Sequence, residues 1–254
     1  MKEQREIADI VEALGLAPSG EIAAIVGGGG KSSLMFALAE RLPGRGVMTT
    51  TTRIFAEQMS LAAEVCTLDD ANWRARLDGF ASSLLVVGRV EGERAMGVPP
   101  ELPAEMLAHA RIDWVIVEAD GSRMLPVKAP ASHEPVVPIG TTLLVPVAGI
   151  DALSKPIAEI AHRPERVCAI TGLAEVDRLT PAALANLLTS PVGGLKNAPS
   201  AGRAAVLINK VESEGELALA RETADAILRA PSVERVAIGA LLGDAAKGWR
   251  VCTR

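Results

Sequence analysis

The sequence predicts an α/β fold in which helices cover both faces of a mostly parallel β-sheet. Short apolar runs alternate with segments of helical periodicity along most of the 254-residue chain, a pattern typical of strand-helix-strand units with right-handed crossovers. Hydrophobic residues make up 49% of the chain and aromatic residues only 2%, so the core must consist mainly of Ala, Val, Leu and Ile. Such side chains suit strands that are buried on both faces. The length fits a single domain over residues 1–254, with a helical insertion or lobe expected at about 150–200.

The first predicted elements surround a cluster of glycines. Apolar positions at helical spacing predict a helix over residues 3–14. The apolar run at 22–26 predicts a strand, the four glycines after it predict a turn, and the periodicity of 32–42 predicts a second helix. The sequence therefore predicts a strand, a glycine-rich turn and a helix in direct succession.

The same criteria assign the rest of the chain. Further strands are predicted at 47–50, 65–68, 84–87, 112–117, 143–147, 204–208 and 233–241. Further helices are predicted at 69–80, 101–110, 164–174, 180–188 and 214–230. The strand at 112–117 has the strongest signal, because it is apolar on both faces and flanked by charged residues. Residues 125–138 are rich in proline, which favours a structured loop.

Charge and cysteine content limit the partners of the chain. It carries 26 Lys and Arg against 31 Asp and Glu, a formal net charge of -5, which argues against a nucleic-acid partner. Its three cysteines are far apart in the sequence and form neither a disulfide framework nor a zinc motif, as is usual in a reducing compartment. We find no secretory pattern at the start and no apolar stretch that spans a bilayer. We therefore expect a cytoplasmic protein with no membrane partner.

The glycine-rich turn carries the first candidate site. In a strand-turn-helix context, backbone amides of glycines and the amino end of the helix favour a phosphate group. Lys31 would reach the β- and γ-phosphates, Ser32 would bind Mg²⁺ and Ser33 would contact the α-phosphate of ATP or GTP. The candidate phosphate ligands are Gly27, Gly28, Gly29, Gly30, Lys31, Ser32 and Ser33. Ile25 occupies the position of the first glycine in the G-x-x-x-x-G-K-[ST] pattern, so the loop is shortened or its first turn is displaced onto Gly27.

Two carboxylates follow the strand at 112–117. P-loop enzymes use a carboxylate at the tip of a neighbouring strand to hold Mg²⁺ and a nearby amide to contact the γ-phosphate. Glu118 fits the first role and Gly121 the second, while Asp120 would orient the attacking water or bind Mg²⁺ instead. The alternative is a solvent-facing acidic turn.

Two polar turns complete the set of candidates. Thr51 and Thr52 end a run of threonines, where hydroxyls would complete the Mg²⁺ shell and respond to hydrolysis; such a run is also ordinary strand sequence. Asn209, Lys210 and Glu212 lie in an N-K-x-E turn after a strand, at the place where GTPases read guanine with N-K-x-D. Because Glu212 replaces the aspartate, ATP and GTP both remain open.

Taken together, these residues resemble the YqeC-type family, whose members are described as accessory proteins of selenium-dependent molybdenum hydroxylases or as selenium cofactor biosynthesis proteins. The similarity runs through nearly the whole chain. The matching stretches are VGGGGKSSLMFALAERL, MTTTTRIF, VIVEADGSRMLPVKAPASHEPVVP, VAGIDALSKP, HRPERVCAITG and VLINKV. The E-x-x-G and N-K motifs are also similar to those of GTPases that deliver nickel or cobalamin cofactors.

The resemblance implies a P-loop NTPase fold of three layers, with Mg²⁺ and ATP or GTP as cofactors. It also implies a molybdenum hydroxylase, or its cofactor-synthesis proteins, as partners, and it adds candidate residues in two loops. These are Arg123, Lys128, His133 and Glu134 in one loop and His162, Arg163 and Glu165 in the other. Arg163 or Lys128 would neutralise transition-state charge near the γ-phosphate. The histidines would contact the cargo or only order the loops.

Three functions remain open from the sequence. The first is a nucleoside triphosphatase that couples hydrolysis to cofactor insertion or selenium transfer. The second is a kinase or ligase that phosphorylates or adenylates a cofactor precursor, and the third is a nucleotide-gated carrier without turnover. Analogy with related folds also suggests a homodimer.

Overall fold

The computed structural model describes residues 4–242 and 248–254. The strands are β1 (Gln4–Ile7), β2 (Glu21–Gly27), β3 (Gly46–Thr50), β4 (Ile54–Phe55), β5 (Val65–Thr67), β6 (Ser83–Val87), β7 (Val90–Glu91), β8 (Arg94–Ala95), β9 (Trp114–Glu118), β10 (Val127–Lys128), β11 (Leu143–Gly149), β12 (Ala161–His162), β13 (Arg203–Asn209), β14 (Arg235–Ile238) and β15 (Trp249–Thr253). The α-helices are α1 (Ile10–Leu14), α2 (Lys31–Arg41), α3 (Trp73–Arg76), α4 (Leu102–Leu107), α5 (Ile157–Ile160), α6 (Pro164–Thr171), α7 (Pro181–Thr189) and α8 (Glu214–Ile227). Two 3₁₀ segments cover Ala56–Leu61 and Ile150–Ala152.

A large, mostly parallel sheet forms the centre of the fold. Its strand order is β1-β15-β14-β13-β11-β2-β9-β3-β6-β5, and the strands from β14 to β5 run parallel. Strands β15 and β1 add an antiparallel edge. The predicted α/β class with a mostly parallel sheet is therefore confirmed.

Helices cover both faces of this sheet. Along β2, Ile22, Ala24 and Val26 face one side, while Ala23 and Ile25 face the other. The first side packs against α3 and α4 near one edge and against α5 to α8 near the other, and the second side packs against α1 and α2. Because β2 is buried on both faces, its residues 22–26 are continuously apolar rather than alternating.

The start of the chain differs from its prediction. Residues 4–7 form β1, which pairs with β15, and the helix begins only at Ile10. Asp9 caps that helix by accepting a hydrogen bond from the amide of Val11 at 2.6 Å, which places a helix start in the middle of the predicted helix. The helical periodicity of 3–14 arose from two separate elements, so the prediction was wrong for its first half; residue 3 of it lies outside the described residues.

Two other predictions need correction. The helix predicted over 69–80 is limited to α3, because the amides of Leu77, Asp78 and Gly79 bond three residues back and form tight turns. The strand predicted over 233–241 is limited to β14. Strand β15 and the small antiparallel sheet of β4, β8 and β7 were not predicted.

The connections of β2 and β11 diverge at the carboxyl ends of the strands. From β2 the chain passes through α2 to β3 on one side, and from β11 it passes to β13 on the other side. Adjacent strands with diverging connections leave a crevice at their carboxyl ends, which is where open α/β sheets bind ligands. None of the helices in the described ranges is long and apolar enough to cross a membrane.

Candidate functional site

A cavity of about 1200 Å³ opens at the carboxyl edge of the sheet. Most of its lining comes from the segments that follow β2, β3 and β9, and from the small antiparallel sheet. Of the predicted site residues, the cavity is lined by Gly29, Gly30, Lys31, Ser32, Ser33, Thr51, Thr52, Glu118, Gly121, Arg123, His133, Glu134, His162, Arg163 and Lys210. The candidates outside the lining are Gly27, Gly28, Asp120, Lys128, Glu165, Asn209 and Glu212.

Residues 27–30, which we call the glycine loop, connect β2 to α2. The chain leaves the strand at Gly27, where φ is 96°, and Gly29 and Gly30 also have positive φ. A Cβ atom on Gly29 would lie 2.3 Å from the backbone nitrogen of Gly149, so no larger residue fits without moving the backbone. Close packing against the end of β11 therefore fixes the shape of the loop.

The backbone amides of the glycine loop divide into two groups. In the first group, the amide of Gly27 donates to the Asp120 carboxylate. The amide of Gly28 donates to the Val147 carbonyl at 2.9 Å, and that of Gly29 donates to the Leu125 carbonyl at 3.1 Å. The amides of residues 30–33 stand at the start of α2, where the first turn has no carbonyl partner within the helix. The amides suited to an anion are thus those of 30–33 rather than those of all four glycines.

Lys31 is buried beside this loop. Its Nζ donates to the carbonyl of Gly27 at 2.8 Å and lies 3.4 Å from Asp120 Oδ1 and 3.8 Å from Glu118 Oε1. Only 3% of its side chain is exposed, so its positive charge depends on these two carboxylates. The ammonium group therefore lies where the glycine loop meets the cavity.

Ser32 and Glu118 meet across β2 and β9. The Ser32 hydroxyl donates to Glu118 Oε2 at 2.7 Å, and Gln58 Nε2 donates to Ser32 Oγ at 2.9 Å. Burial raises the pKa of Glu118 above its ordinary value, while the charge of Lys31 and the Ser32 hydrogen bond act in the opposite direction. Sequence reasoning missed Gln58, because nothing in the sequence indicates that a 3₁₀ segment after β4 returns to the start of α2.

Hydroxyl and carboxylate oxygens are suitable ligands for Mg²⁺. No group of three or more His, Cys, Asp or Glu side chains in the part of the chain that the structure describes could hold a metal ion by itself. Mg²⁺ in nucleotide sites needs only one or two protein oxygens, since phosphates and water supply the rest. Ser32 and Glu118, in contact at the cavity wall, fit that kind of shell.

A buried ionic network lies behind the glycine loop. Asp120 accepts from the Gly27 amide and contacts both Lys31 and Lys128. Lys128 Nζ lies 3.1 Å from Asp120 Oδ2 and 2.8 Å from Glu134 Oε2, and it donates to the Gly121 carbonyl at 2.6 Å. The two carboxylates and the two lysines are thus joined in one continuous network.

The network ends at Glu134 and Arg163. The guanidinium of Arg163 donates to Glu134 Oε2 at 2.7 Å. Burial alone would raise the pKa of Glu134, but the hydrogen bond and charge of Lys128, the Ala131 amide and Arg163 outweigh burial and hold this pKa at about 2. Glu134 therefore stays ionised and holds Lys128 and Arg163 in position through its two ion pairs.

His162 lies against the loop that follows β9. Its Nδ1 is 3.2 Å from the carbonyl oxygen of Gly121, which can only accept, so Nδ1 carries the proton and Nε2 has a free lone pair. Burial and the charges of Arg163 and Lys128 lower the pKa of His162, so the ring is neutral at pH 7. The predicted cargo role of His162 stays a prediction.

The threonine run is held by backbone contacts. Thr50 Oγ1 donates to the carbonyl of Glu118 at 2.9 Å, and Thr51 Oγ1 donates to the carbonyl of Val136 at 2.6 Å. The amide of Thr52 donates to Thr50 Oγ1. Thr51 and Thr52 both line the cavity, and their predicted part in the Mg²⁺ shell stays a prediction.

The N-K-x-E turn contacts the glycine loop through one side chain. Asn209 is buried, and it donates to the carbonyl of Gly29 at 2.7 Å and accepts from the amide of Leu241 at 3.0 Å. Lys210 pairs with Asp151 at 2.9 Å and lines the cavity, whereas Glu212 is exposed. In this geometry Asn209 positions the loop, and Glu212 lies away from the lining.

Asn209→Ala is expected to lower the free energy of unfolding by about 2 to 3 kcal/mol, because the Gly29 carbonyl and the Leu241 amide lose their partner. Urea unfolding measures this change. Asn72→Ala is the matched control, since Asn72 is exposed and its side chain caps nothing; we expect a change within about 0.5 kcal/mol. Equal losses in both variants would contradict the bracing role of Asn209.

Comparisons with known proteins agree with one another. A family model described as "YqeC protein" matches residues 23–165. The protein named "Uncharacterized protein YqeC" from Escherichia coli (strain K12) is 30% identical over 243 residues, which cover 94% of this chain and 94% of that protein. No solved structure matches the chain. The range of the family model includes the glycine loop, Glu118 and the whole buried ionic network.

Proposed function

The chain belongs to the YqeC protein family, and on this premise we propose that it is a P-loop NTPase that binds ATP or GTP with Mg²⁺. One observation carries the proposal: the Ser32 hydroxyl is 2.7 Å from Glu118 Oε2, directly after a glycine loop whose lysine is buried beside it. A hydroxyl at the start of a helix, paired with a carboxylate at a strand tip, is what a Mg²⁺-nucleotide site requires.

In this proposal each polar group has a separate task. The amides of 30–33 and the Lys31 ammonium bind phosphate oxygens, because both present positive charge at one end of the cavity. Ser32 and Glu118 hold Mg²⁺, which neutralises charge on the phosphates during transfer. The Gly121 amide remains the candidate contact for the γ-phosphate.

Asp120 takes a positioning role in the revised mechanism. Asp120 is 2% exposed, and its carboxylate contacts the Gly27 amide, Lys31 and Lys128. It therefore holds Lys31 and the glycine loop in fixed positions. The sequence suggested Asp120 for orienting the attacking water, and its burial outside the cavity lining favours the supporting role instead. Support of this kind keeps Lys31 near the phosphates without reorganisation.

Binding of Mg²⁺-nucleotide is expected to weaken as the pH falls, because Glu118 must lose its proton to hold Mg²⁺ and burial raises its pKa. Calorimetric titration with ATP, GTP and CTP from about pH 8 to about pH 5 identifies the preferred nucleotide and measures the loss of affinity. Repeating the titration in buffers of different ionisation enthalpy measures how many protons are released on binding. We expect release of a proton at those pH values at which Glu118 is protonated in the nucleotide-free protein.

Glu118→Gln should bind Mg²⁺-nucleotide more weakly at every pH and release no such proton. Glu57→Gln, which changes an exposed carboxylate near Gln58, is the control and should behave as the wild type. If none of the three nucleotides binds, or if Mg²⁺ and pH make no difference, the proposal fails.

For the cellular role, we propose that the protein acts in the cytoplasm as a maturation factor for a selenium-dependent molybdenum hydroxylase. The support for this role is the resemblance of six stretches of the sequence to accessory proteins of such enzymes. Nucleotide binding and hydrolysis would drive cofactor insertion or selenium transfer, with the hydroxylase or its cofactor-synthesis proteins as partners. The specific activity of the hydroxylase, in cells with wild-type or nucleotide-binding-deficient protein, tests the role.

A further inference from the structure

The cavity carries more positive charge than a nucleotide site requires. Although the whole chain has a formal charge of -5, the cavity lining in the described part of the chain includes six cations and two carboxylates. The cations are Lys31, Arg53, Arg94, Arg123, Arg163 and Lys210, and the carboxylates are Glu118 and Glu134. Arg163 pairs with Glu134 and Lys210 with Asp151, while Lys31 lies at the glycine loop.

Three guanidinium groups therefore remain without a carboxylate partner. Among residues 4–242 and 248–254, no salt bridge of Arg53, Arg94 or Arg123 is present. All three side chains are exposed to solvent and border the same cavity. A protein of net negative charge has many carboxylates that could pair with arginines, so three unpaired guanidiniums at one cavity indicate affinity for an external anion.

Arg94 is held in a fixed orientation. Its Cζ lies 3.7 Å from the centre of the Phe55 ring, and the two residues are paired across β4 and β8. Stacking on an aromatic face leaves the edge of the guanidinium free for two parallel hydrogen bonds to an oxyanion. Arg53 directly precedes β4, and it lines the same cavity as Arg94 and Phe55.

The size of the cavity leaves room for a second molecule. Ligand sites usually have volumes of about 300 to 1,000 Å³, and this cavity has about 1200 Å³. Phe55, Met96 and Met124 add apolar surface to the lining of the cavity, and Phe55 is in direct contact with Arg94. A small molecule with an aromatic body and a phosphate group would match both kinds of surface.

We propose that Arg53, Arg94 and Arg123, with Phe55, form a second subsite that binds a small phosphorylated substrate in the same cavity as the nucleotide. The inference rests on the proposed function, because the glycine loop is assigned to the nucleotide. It extends that function from hydrolysis alone to a reaction or conformational step that involves a second, anionic substrate.

Calorimetry with two probes tests the subsite. Protein saturated with Mg²⁺ and a non-hydrolysable ATP or GTP analogue is titrated with inorganic phosphate and with phenyl phosphate. We expect one site in the wild type, and tighter binding of phenyl phosphate would show that the apolar surface contributes. Arg94→Ala should weaken binding of both probes by about tenfold. Arg94→Lys should weaken it by less, since lysine keeps the charge but cannot donate two parallel hydrogen bonds to one oxyanion. Arg53→Ala and Arg123→Ala should also weaken binding.

Arg89→Ala is the control, because Arg89 lies beside the same small sheet, pairs with Glu91 and is outside the cavity lining. This variant should bind the probes as the wild type does. The inference is overturned if the saturated wild type binds neither probe, or if Lys31→Ala abolishes probe binding while Arg94→Ala leaves it unchanged. If the nucleotide analogue itself does not bind, the proposed function fails, and titration of the nucleotide-free protein still decides whether the arginines bind an anion.

Discussion

Lys31→Ala is expected to weaken binding of Mg²⁺-nucleotide by about 10- to 100-fold, the loss that follows when a charged hydrogen bond to phosphate is removed. The lysine is at the start of α2, and its ammonium lies 2.8 Å from the Gly27 carbonyl, in the part of the cavity that we propose binds phosphate. No other cation of the described residues donates a hydrogen bond to a carbonyl of the glycine loop, so we expect no neighbour to take its place. Calorimetric titration with the nucleotide that binds the wild type best measures the effect.

The control for this variant is Lys155→Ala, which removes an exposed lysine and should leave nucleotide affinity unchanged. Steady-state hydrolysis gives a second readout, and equal rates in wild type and Lys31→Ala would disprove the assigned role. In cells, Lys31→Ala should lower the specific activity of the proposed client, a selenium-dependent molybdenum hydroxylase, without lowering its amount. Full hydroxylase activity with this variant would separate nucleotide binding from maturation.

Lys128→Met is expected to lower the free energy of unfolding by about 3 to 5 kcal/mol, because it removes the central cation of a buried network. Lys128 is fully buried and contacts Asp120, Glu134 and the Gly121 carbonyl. Methionine keeps the length of the aliphatic stem, so the loss reports charge and hydrogen bonding rather than a cavity. Urea unfolding at neutral pH measures it.

The pH dependence of stability provides an independent check. The folded-state pKa of Glu134 is about 2, below its ordinary value of 4.5. This carboxylate therefore contributes its full stabilisation to the fold at pH values above 4.5. That contribution is lost as the pH falls through about 2. In Lys128→Met the pKa of Glu134 should rise toward its ordinary value, and the loss of stability in acid should become smaller.

Arg89→Ala is the control, since it removes an exposed ion pair with Glu91 and should change stability by less than about 0.5 kcal/mol. If Lys128→Met proved no more destabilising than this control, the network would contribute nothing to the fold.

The strand-turn-helix unit at the site was predictable because its signals are local. The apolar run before Gly27, the four glycines and the periodicity of 32–42 each lie within a few residues of the element that they specify. The carboxylate at the tip of β9 was predictable for the same reason. Parallel neighbours bring Ser32 and Glu118 together although 86 residues separate them.

Contacts that depend on the meeting of distant loops were not predictable. Lys128 and His162 lie side by side only because β10 pairs in parallel with β12, and two-residue strands carry almost no sequence signal. Asp120 was correctly placed at a strand tip, but the direction of its side chain, away from the cavity lining, depends on where Lys128 lies. The antiparallel edge was missed because β1 and β15 come from opposite ends of the chain.

The side chain of Asn209 joins two loops that otherwise belong to different parts of the sheet. Its Nδ2 donates to the Gly29 carbonyl in the glycine loop, and its Oδ1 accepts from the amide of Leu241 in the turn after β14. We therefore expect that movement of the glycine loop would stretch one of these two hydrogen bonds unless Leu241 moved with it.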